Sequence, residues 1–89
     1  MRLKDKVCIV TGASSGIGKE IAKSFSNEGA HLVLAARNLG RLNSLAKELS
    51  NPASITVVQT DVSKEKEIIH LFEVVKAKHH RLDIIVNNA

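Results

Sequence analysis

The sequence predicts an α/β fold, a doubly wound parallel sheet with helices on both faces and three layers in all. Short apolar runs alternate along the chain with segments whose apolar residues recur at helical spacing, which is the pattern of repeated βα units. Hydrophobic residues make up 44% of the 89 residues, and two phenylalanines are the only aromatic side chains, so the core must be aliphatic. We therefore expect one small domain in the order β-α-β-α-β-α-β.

Four strands are predicted. The first, Val7–Val10, and the fourth, Ile84–Val86, are continuous apolar runs, as expected for strands covered on both faces. His31–Ala36 is predicted to be a second buried strand. Ile55–Val58 is the third, and it is rich in β-branched residues.

Three helices are predicted between the strands from apolar residues that share one helical face. These are Ile17, Ile21, Ala22 and Phe25 in the first helix, Leu39, Leu42, Leu45, Ala46 and Leu49 in the second, and Ile68, Leu71, Phe72 and Val75 in the third. We expect the first to end at Gly29 and the second near Asn51-Pro52. Ser63 is a candidate N-cap of the third, although Lys66 stands where a capping box would have glutamate.

The connections determine how the strands are arranged. Right-handed crossovers make the sheet parallel. If the fourth strand lies on the opposite side of the first from the second, the strand order is 3-2-1-4. A ligand then binds at the carboxyl ends of strands 1 and 4, where the order reverses.

A glycine-rich turn connects the first strand to the first helix. Gly12 permits a tight exit from the strand, where a side chain would clash. Gly16 lets backbone amides approach a pyrophosphate at a helix N-terminus, whose free N–H groups and dipole favour anions. Gly18 lets the first helical turn pack against the strand, and Ser14 and Ser15 can add hydroxyl donors.

The spacing of this turn, over residues 12–18, is G-x-x-x-G-x-G. It differs from the G-x-G-x-x-G of most dinucleotide folds, and it lacks the Gly-Lys-Ser/Thr ending of a P-loop. The segment Thr-Gly-Ala-Ser-Ser-Gly-Ile-Gly resembles the glycine motif of the short-chain dehydrogenase/reductase family at every position. Asp61-Val62 resembles the adenine-contacting pair of that family, and Asn87–Ala89 resembles the start of its Asn-Asn-Ala-Gly segment.

The resemblance spans the whole chain and implies a Rossmann-like fold that binds a nicotinamide dinucleotide, with Ile17 among the contacts. It implies that the Asp61 carboxylate bonds the adenine amino group and that the Val62 backbone bonds a ring nitrogen. It also implies that Asn87 mainly ties strand ends together, while Asn88 and Ala89 face the cofactor ribose. From the residues alone, Asp-Val-Ser is also a common loop and cap composition, and the asparagines could simply form turns.

The end of the second strand indicates which cofactor is bound. NAD-binding members carry an acidic residue there, but here the position is Ala36, followed by Arg37. An alanine leaves room for a 2′-phosphate, and a guanidinium can pair with it in a bidentate way. Asn38 and Ser14 are placed to complete the pocket, and Arg41 adds positive field. We expect NADP(H); the alternative is that Arg37 is an ordinary exposed charge.

Composition argues against several other functions. The +4 net charge is scattered and lacks interleaved aromatic residues, so we do not expect nucleic-acid binding. Cys8 is the only cysteine, which rules out an internal disulfide and fits the reducing cytoplasm. The pair His79-His80 has no third ligand at metal-like spacing, so we expect no metal site. No run approaches transmembrane length or reads as a secretory signal, so we expect no membrane association.

Catalytic residues are not expected within residues 1–89. The family resemblance implies a catalytic serine and a Tyr-x-x-x-Lys pair beyond the Asn-Asn-Ala-Gly segment, and this sequence has no tyrosine. We expect residues 1–89 to be the N-terminal part of one NAD(P)-binding domain, cut before its catalytic half. The full-length protein would be an NADP-dependent oxidoreductase of carbonyls or alcohols, usually a homo-oligomer. The alternative is a free-standing dinucleotide-binding module without chemistry.

Overall fold

The computed structural model describes residues 2–14, 16–49 and 54–88. The elements in chain order are β1 (Val7–Thr11), α1 (Gly16–Asn27), β2 (His31–Ala36), α2 (Leu39–Glu48), β3 (Ile55–Gln59), α3 (Glu65–His79) and β4 (Ile84–Asn87). The predicted order of elements is confirmed. Strands β1, β3 and β4 each run one residue further than predicted, because the polar residues Thr11, Gln59 and Asn87 continue the ladder beyond the apolar runs.

The strands form one parallel sheet in the order β3-β2-β1-β4, as predicted. In the register of the sheet, Thr11 lies between Ala35 on β2 and Asn87 on β4. On the other side of β2, Ala36 pairs with Gln59. The carboxyl ends of all four strands therefore meet at one edge, where the loops into the helices begin.

Each face of the sheet carries its own aliphatic cluster. Helices α1 and α2 cover the face that includes Val10 and Leu34, and α3 covers the face that includes Ile9 and Val33. Cys8 is completely buried in the first cluster. Burial, with a smaller effect of the Asp83 carboxylate, raises the pKa of its thiol to about 11. The thiol is therefore protonated at neutral pH and packs as a small hydrophobic group.

Four residues that the periodicity assigned to buried faces are exposed, and those expectations were wrong. Ile17 is 71% exposed and Leu39 is 42% exposed, because each stands in the first turn of its helix, beside the open edge of the sheet. Phe72 is 40% exposed, because it is next to the buried Leu71 in the sequence and so points to a different side of α3. Ile85 is 51% exposed, since β4 is an edge strand among the described residues.

Two helix ends also differ from expectation. The N-cap of α3 is Lys64, without a side-chain hydrogen bond, and Ser63 is not the cap, because its hydroxyl bonds Asp61 instead. Helix α2 ends at Glu48 with Leu49 as its C-cap, and the predicted stop at Asn51-Pro52 lies outside the described residues. Within the described ranges, no helix combines the length and apolar character needed to cross a membrane.

Candidate functional site

A cleft of about 1210 Å³ opens at the carboxyl edge of the sheet. It is larger than the roughly 300–1,000 Å³ of most small-molecule sites, which suits a long, extended ligand. The described residues that line it are Gly12, Ser14, Gly16, Ile17, Ala36, Arg37, Asn38, Leu39, Arg41, Gln59, Thr60, Asp61, Val62, Ser63 and Asn88. They come from the ends of all four strands, so the cleft spans the point at which the strand order reverses.

Two glycines of the turn are required by close backbone packing. A Cβ on Gly12 would overlap the carbonyl oxygen of Asn88 and lie 2.9 Å from its carbonyl carbon. A Cβ on Gly18 would overlap the carbonyl oxygen of Gly12 and lie 2.8 Å from the Asn88 side-chain nitrogen. The turn, the start of α1 and the end of β4 are thus in direct contact, which fixes the floor of the cleft.

Gly16 is different, because a Cβ there would meet no described atom within 4 Å outside its immediate neighbours. The residue has a φ of +57° and lines the cleft at the first position of α1. Protein packing therefore does not demand a glycine here, but the left-handed backbone favours one. The missing side chain leaves free space beside a helix N-terminus, where backbone N–H groups attract anions.

The side chain of Thr11 connects β1 to β4 at the edge of the cleft. Its hydroxyl lies 3.1 Å from Asn87 Oδ1 and 3.3 Å from the Val86 carbonyl oxygen, and it accepts a hydrogen bond from the Asn88 backbone N–H at 3.0 Å. These contacts agree with the expectation that Asn87 ties strand ends together. They hold Asn88 against the glycine turn.

Positive charge is concentrated at the start of α2. Arg37 and Arg41 both line the cleft, and neither forms an ion pair with a described residue. Asn38 is the N-cap of α2, and its Oδ1 accepts a hydrogen bond from the Arg41 N–H at 3.0 Å. Since that oxygen is used by the helix, the Asn38 amide can offer its NH₂ group to an anion. Gln59 Nε2 donates to the Arg37 carbonyl oxygen at 3.0 Å and steadies this loop.

Asp61 is the one acidic side chain among the described lining residues. Its Oδ1 accepts hydrogen bonds from Ser63 Oγ at 2.6 Å and from the Ser63 N–H at 3.0 Å. These two bonds from Ser63 lower the pKa of the Asp61 carboxyl below its ordinary value. The group is therefore ionised at neutral pH and can only accept hydrogen bonds.

Most of the predicted site residues come together in this cleft. Nine of them line it, namely Gly12, Ser14, Gly16, Ile17, Arg37, Asn38, Asp61, Val62 and Asn88. Gly18 is buried behind the turn instead of facing the cleft. Ser15 and Ala89 lie outside the described residues.

The lining also includes residues that the motifs did not identify. Gln59 is the last residue of β3, Thr60 follows it, and Ser63 belongs to the loop after the strand. Their polar character directly after the β-branched run Ile55–Val58 could have indicated them, because the carboxyl ends of parallel strands meet at one edge. Leu39 was predicted to lie on the apolar face of its helix, and nothing in the sequence around it indicates that it lines the cleft.

The histidines lie elsewhere. His31 begins β2 and His79 ends α3, at the opposite edge of the sheet, with ring centroids 5.5 Å apart. Over residues 2–14, 16–49 and 54–88, no three His, Cys, Asp or Glu side chains are grouped as a metal ion would need. Neither His31 nor His79 lines the cleft.

The comparison with known sequences gives a clear family match. The sequence model of the short chain dehydrogenase family matches residues 6–89. An uncharacterized oxidoreductase of Staphylococcus epidermidis is 46% identical over 88 residues, which are 99% of this chain and 37% of that protein. The chain thus spans little more than a third of the length of such relatives.

Solved structures with the same fold include proteins with both nicotinamide cofactors. L-sorbose reductase from Gluconobacter frateurii, complexed with NADPH and L-sorbose, has a TM-score of 0.91 and 40% identity over 100% of this chain and 35% of its own. A 3-ketoacyl-(acyl-carrier-protein) reductase from Brucella melitensis, complexed with NADH, has a TM-score of 0.89 and 35% identity over 97% of this chain and 34% of its own. The fold alone therefore does not distinguish the two cofactors.

Proposed function

The chain belongs to the short-chain dehydrogenase family, and from this premise we propose that its cleft binds NADP(H) for an NADP-dependent oxidoreductase. The observation that carries the cofactor choice is the end of β2. There Ala36 offers no carboxylate, and the next residue, Arg37, is an exposed cation without an ion pair to a described residue. An acidic residue at this place would bond the ribose hydroxyls of NAD and repel a 2′-phosphate.

The shape and chemistry of the cleft fit this cofactor. The free space at Gly16 and the N-terminus of α1 would receive the pyrophosphate, with Ser14 and Ser15 as added donors. The 2′-phosphate would be held by Arg37, supported by Arg41 and by the NH₂ group of the Asn38 cap.

The base and the ribose would lie at the other strand ends. Asp61 and the backbone of Val62 would bind the adenine, and Asn88 with Ala89 would face a ribose. Asn88 is positioned by its backbone bond to Thr11 and by its packing on Gly12. Ile17, exposed at the start of α1, would cover the cofactor with its apolar side chain.

Bound NADPH supplies a hydride for a carbonyl substrate, and the oxidised cofactor accepts one from an alcohol. The described residues bind and orient the cofactor, and we assign no catalytic residue among them. The similarity to an oxidoreductase and two reductases favours an enzyme over a binding module without chemistry. The buried, protonated state of the single cysteine is consistent with the cytoplasmic location we propose.

The test is to measure dissociation constants for NADPH and NADH with the intact protein, using the fluorescence of the reduced nicotinamide. We expect tighter binding of NADPH, and we expect Arg37→Glu to weaken NADPH binding by about tenfold or more while sparing NADH. The matched control is Lys47→Glu, which makes the same change of charge on α2 at a residue that does not line the cleft. Equal affinity of the wild-type protein for both cofactors would contradict the proposal.

A further inference from the structure

The loop after β3 and the first turn of α3 satisfy nearly every polar group of Asp61. The Asp61 N–H donates to Glu67 Oε1 at 2.8 Å, and its carbonyl oxygen accepts from the Lys64 N–H at 3.0 Å. Ser63 occupies Oδ1 with both its hydroxyl and its N–H. The remaining carboxylate oxygen, Oδ2, has no hydrogen bond to a described residue, although Asp61 lines the cleft.

We propose that Ser63 and Glu67 are positioning residues that hold Asp61 for the recognition of adenine, so that the cleft discriminates against a 6-oxopurine at the same place. This inference rests on the proposed function, because it concerns the base of the bound dinucleotide. Neither residue needs to touch the cofactor. Both act through Asp61.

Ser63 acts on the orientation of the carboxylate. The terminal torsion of an aspartate is broad, so an untethered carboxylate rotates and presents either oxygen. Two hydrogen bonds from one residue to Oδ1 restrict that rotation and reserve Oδ2 for the ligand. The same bonds favour the ionised form, which accepts hydrogen bonds and cannot donate them.

An acceptor at this place distinguishes between purines by their 6-substituent. The 6-amino group of adenine is a donor and can bond the carboxylate. The 6-oxo group of hypoxanthine is an acceptor and would be repelled, which is the kind of mismatch on which polar discrimination depends. The sharper the orientation of Asp61, the larger this discrimination becomes.

Glu67 acts on the backbone of the same residue. It lies in the first turn of α3, and its Oε1 reaches back past the N-cap to the Asp61 N–H. Its other oxygen lies 3.8 Å from Lys64 Nζ. The arrangement resembles the glutamate half of a capping box, shifted by three residues, and it fixes the distance between the helix and Asp61.

The experiment compares NADPH with reduced nicotinamide hypoxanthine dinucleotide phosphate, which differs only at the base. Dissociation constants for both are measured with the intact wild-type protein and with Ser63→Ala, Ser63→Thr, Glu67→Ala and Glu67→Gln. The wild-type protein should prefer the adenine form, and Ser63→Ala and Glu67→Ala should each reduce that preference by about fivefold. Ser63→Thr keeps the hydroxyl and Glu67→Gln keeps the acceptor oxygen, so both should retain the preference.

Three outcomes decide the matter against the proposal. If Ser63→Ala weakens both dinucleotides by the same factor, Ser63 merely shapes the loop and the inference is overturned. If the preference for adenine is unchanged in both alanine variants, the positioning role is overturned while the proposed function stands. If the wild-type protein binds neither dinucleotide, the proposed function fails, and the inference fails with it.

Discussion

The backbone carbonyl of Asn88 occupies the position that a Cβ on Gly12 would need. Gly12 also has a φ of +62°, so Gly12→Ala combines a left-handed alanine with a collision against backbone. Because Asn88 is tied to Thr11 and cannot retreat freely, we expect a loss of about 2–4 kcal/mol in the free energy of unfolding. Urea denaturation of the intact protein measures it.

Gly40 offers a matched control for this substitution. It lies in the first turn of α2 at an ordinary φ, and a Cβ there would come no closer than 3.4 Å to Asn38 Oδ1. Gly40→Ala should therefore be neutral or stabilise the protein by up to about 1 kcal/mol. If Gly12→Ala proved as harmless as Gly40→Ala, the contact between the turn and β4 would be refuted.

Gly16→Ala should separate binding from folding. Its Cβ would enter open space in the cleft, so the cost to folding is limited to a left-handed alanine, about 1–2 kcal/mol. The same methyl group would occupy room that we assign to the pyrophosphate, and we expect NADPH affinity to fall by about tenfold or more. The measurement is a fluorescence titration at a temperature where the variant is fully folded. Unchanged affinity would place the phosphate elsewhere.

The order of the elements and of the strands could be predicted because it depends on the apolar pattern, the glycine positions and the handedness of the crossovers, which do not depend on the details of side-chain packing. Strand β1 is apolar at every position up to Thr11, and the glycines that follow it permit a tight turn from the strand into the first helix. Right-handed crossovers then leave few arrangements of four parallel strands. The cleft followed from the same reasoning, since the carboxyl ends of the strands must meet.

Features that depend on competition between neighbouring groups could not be predicted. Ser63 is a good N-cap by type, but the Asp61 carboxylate takes its hydroxyl, and Lys64 becomes the cap. Asn38 was predicted to be a phosphate ligand, but in the structure its side-chain oxygen caps α2 by accepting a hydrogen bond from the Arg41 N–H. In the same way Ile17 has helical spacing, yet it lies in the first turn beside the cleft and is exposed.

Asp83 should govern the stability of the sheet in acid. The Arg81 guanidinium, with a further hydrogen bond from the Val7 N–H at 2.8 Å, lowers the pKa of the Asp83 carboxyl. The unfolded chain then takes up a proton at Asp83 more readily than the folded one. The contribution of Asp83 to the free energy of unfolding is therefore fully present above its unfolded pKa of about 4, and it is lost as the pH falls through its lower, folded pKa. Urea unfolding between pH 7 and pH 2.5 should show this loss.

Two variants make that assignment specific. Asp83→Asn keeps an oxygen for the Val7 N–H but removes the titration, so the decline in acid should become shallower. Arg81→Ala removes the largest cause of the shift, which brings the folded pKa of Asp83 closer to the unfolded one, so the loss of stability in acid should also become smaller. An acid limb that is unchanged in both variants would show that other carboxylates determine it.

His79 should give the protein a second pH dependence. Its Nε2 is buried without a hydrogen bond to a described residue, and its ring lies 5.5 Å from that of His31. Burial is the largest cause of a lowered pKa, followed by the charges of His31, Lys78 and His80.

The sign of the effect follows from linkage. The folded protein binds a proton at His79 less readily than the unfolded chain, whose histidines titrate near pH 6.5, so the free energy of unfolding should fall as the pH drops from about 7.5 to 5. His79→Phe keeps an aromatic ring beside His31 and removes both the titration and the unsatisfied nitrogen. We expect this variant to be at least as stable as the wild type at pH 7.5 and to lose less stability at pH 5, as measured by urea unfolding. An equal slope for both proteins over this range would exclude His79 as the source. If the variant lost more stability than the wild type, the folded protein would stabilise the protonated form of His79, against the prediction.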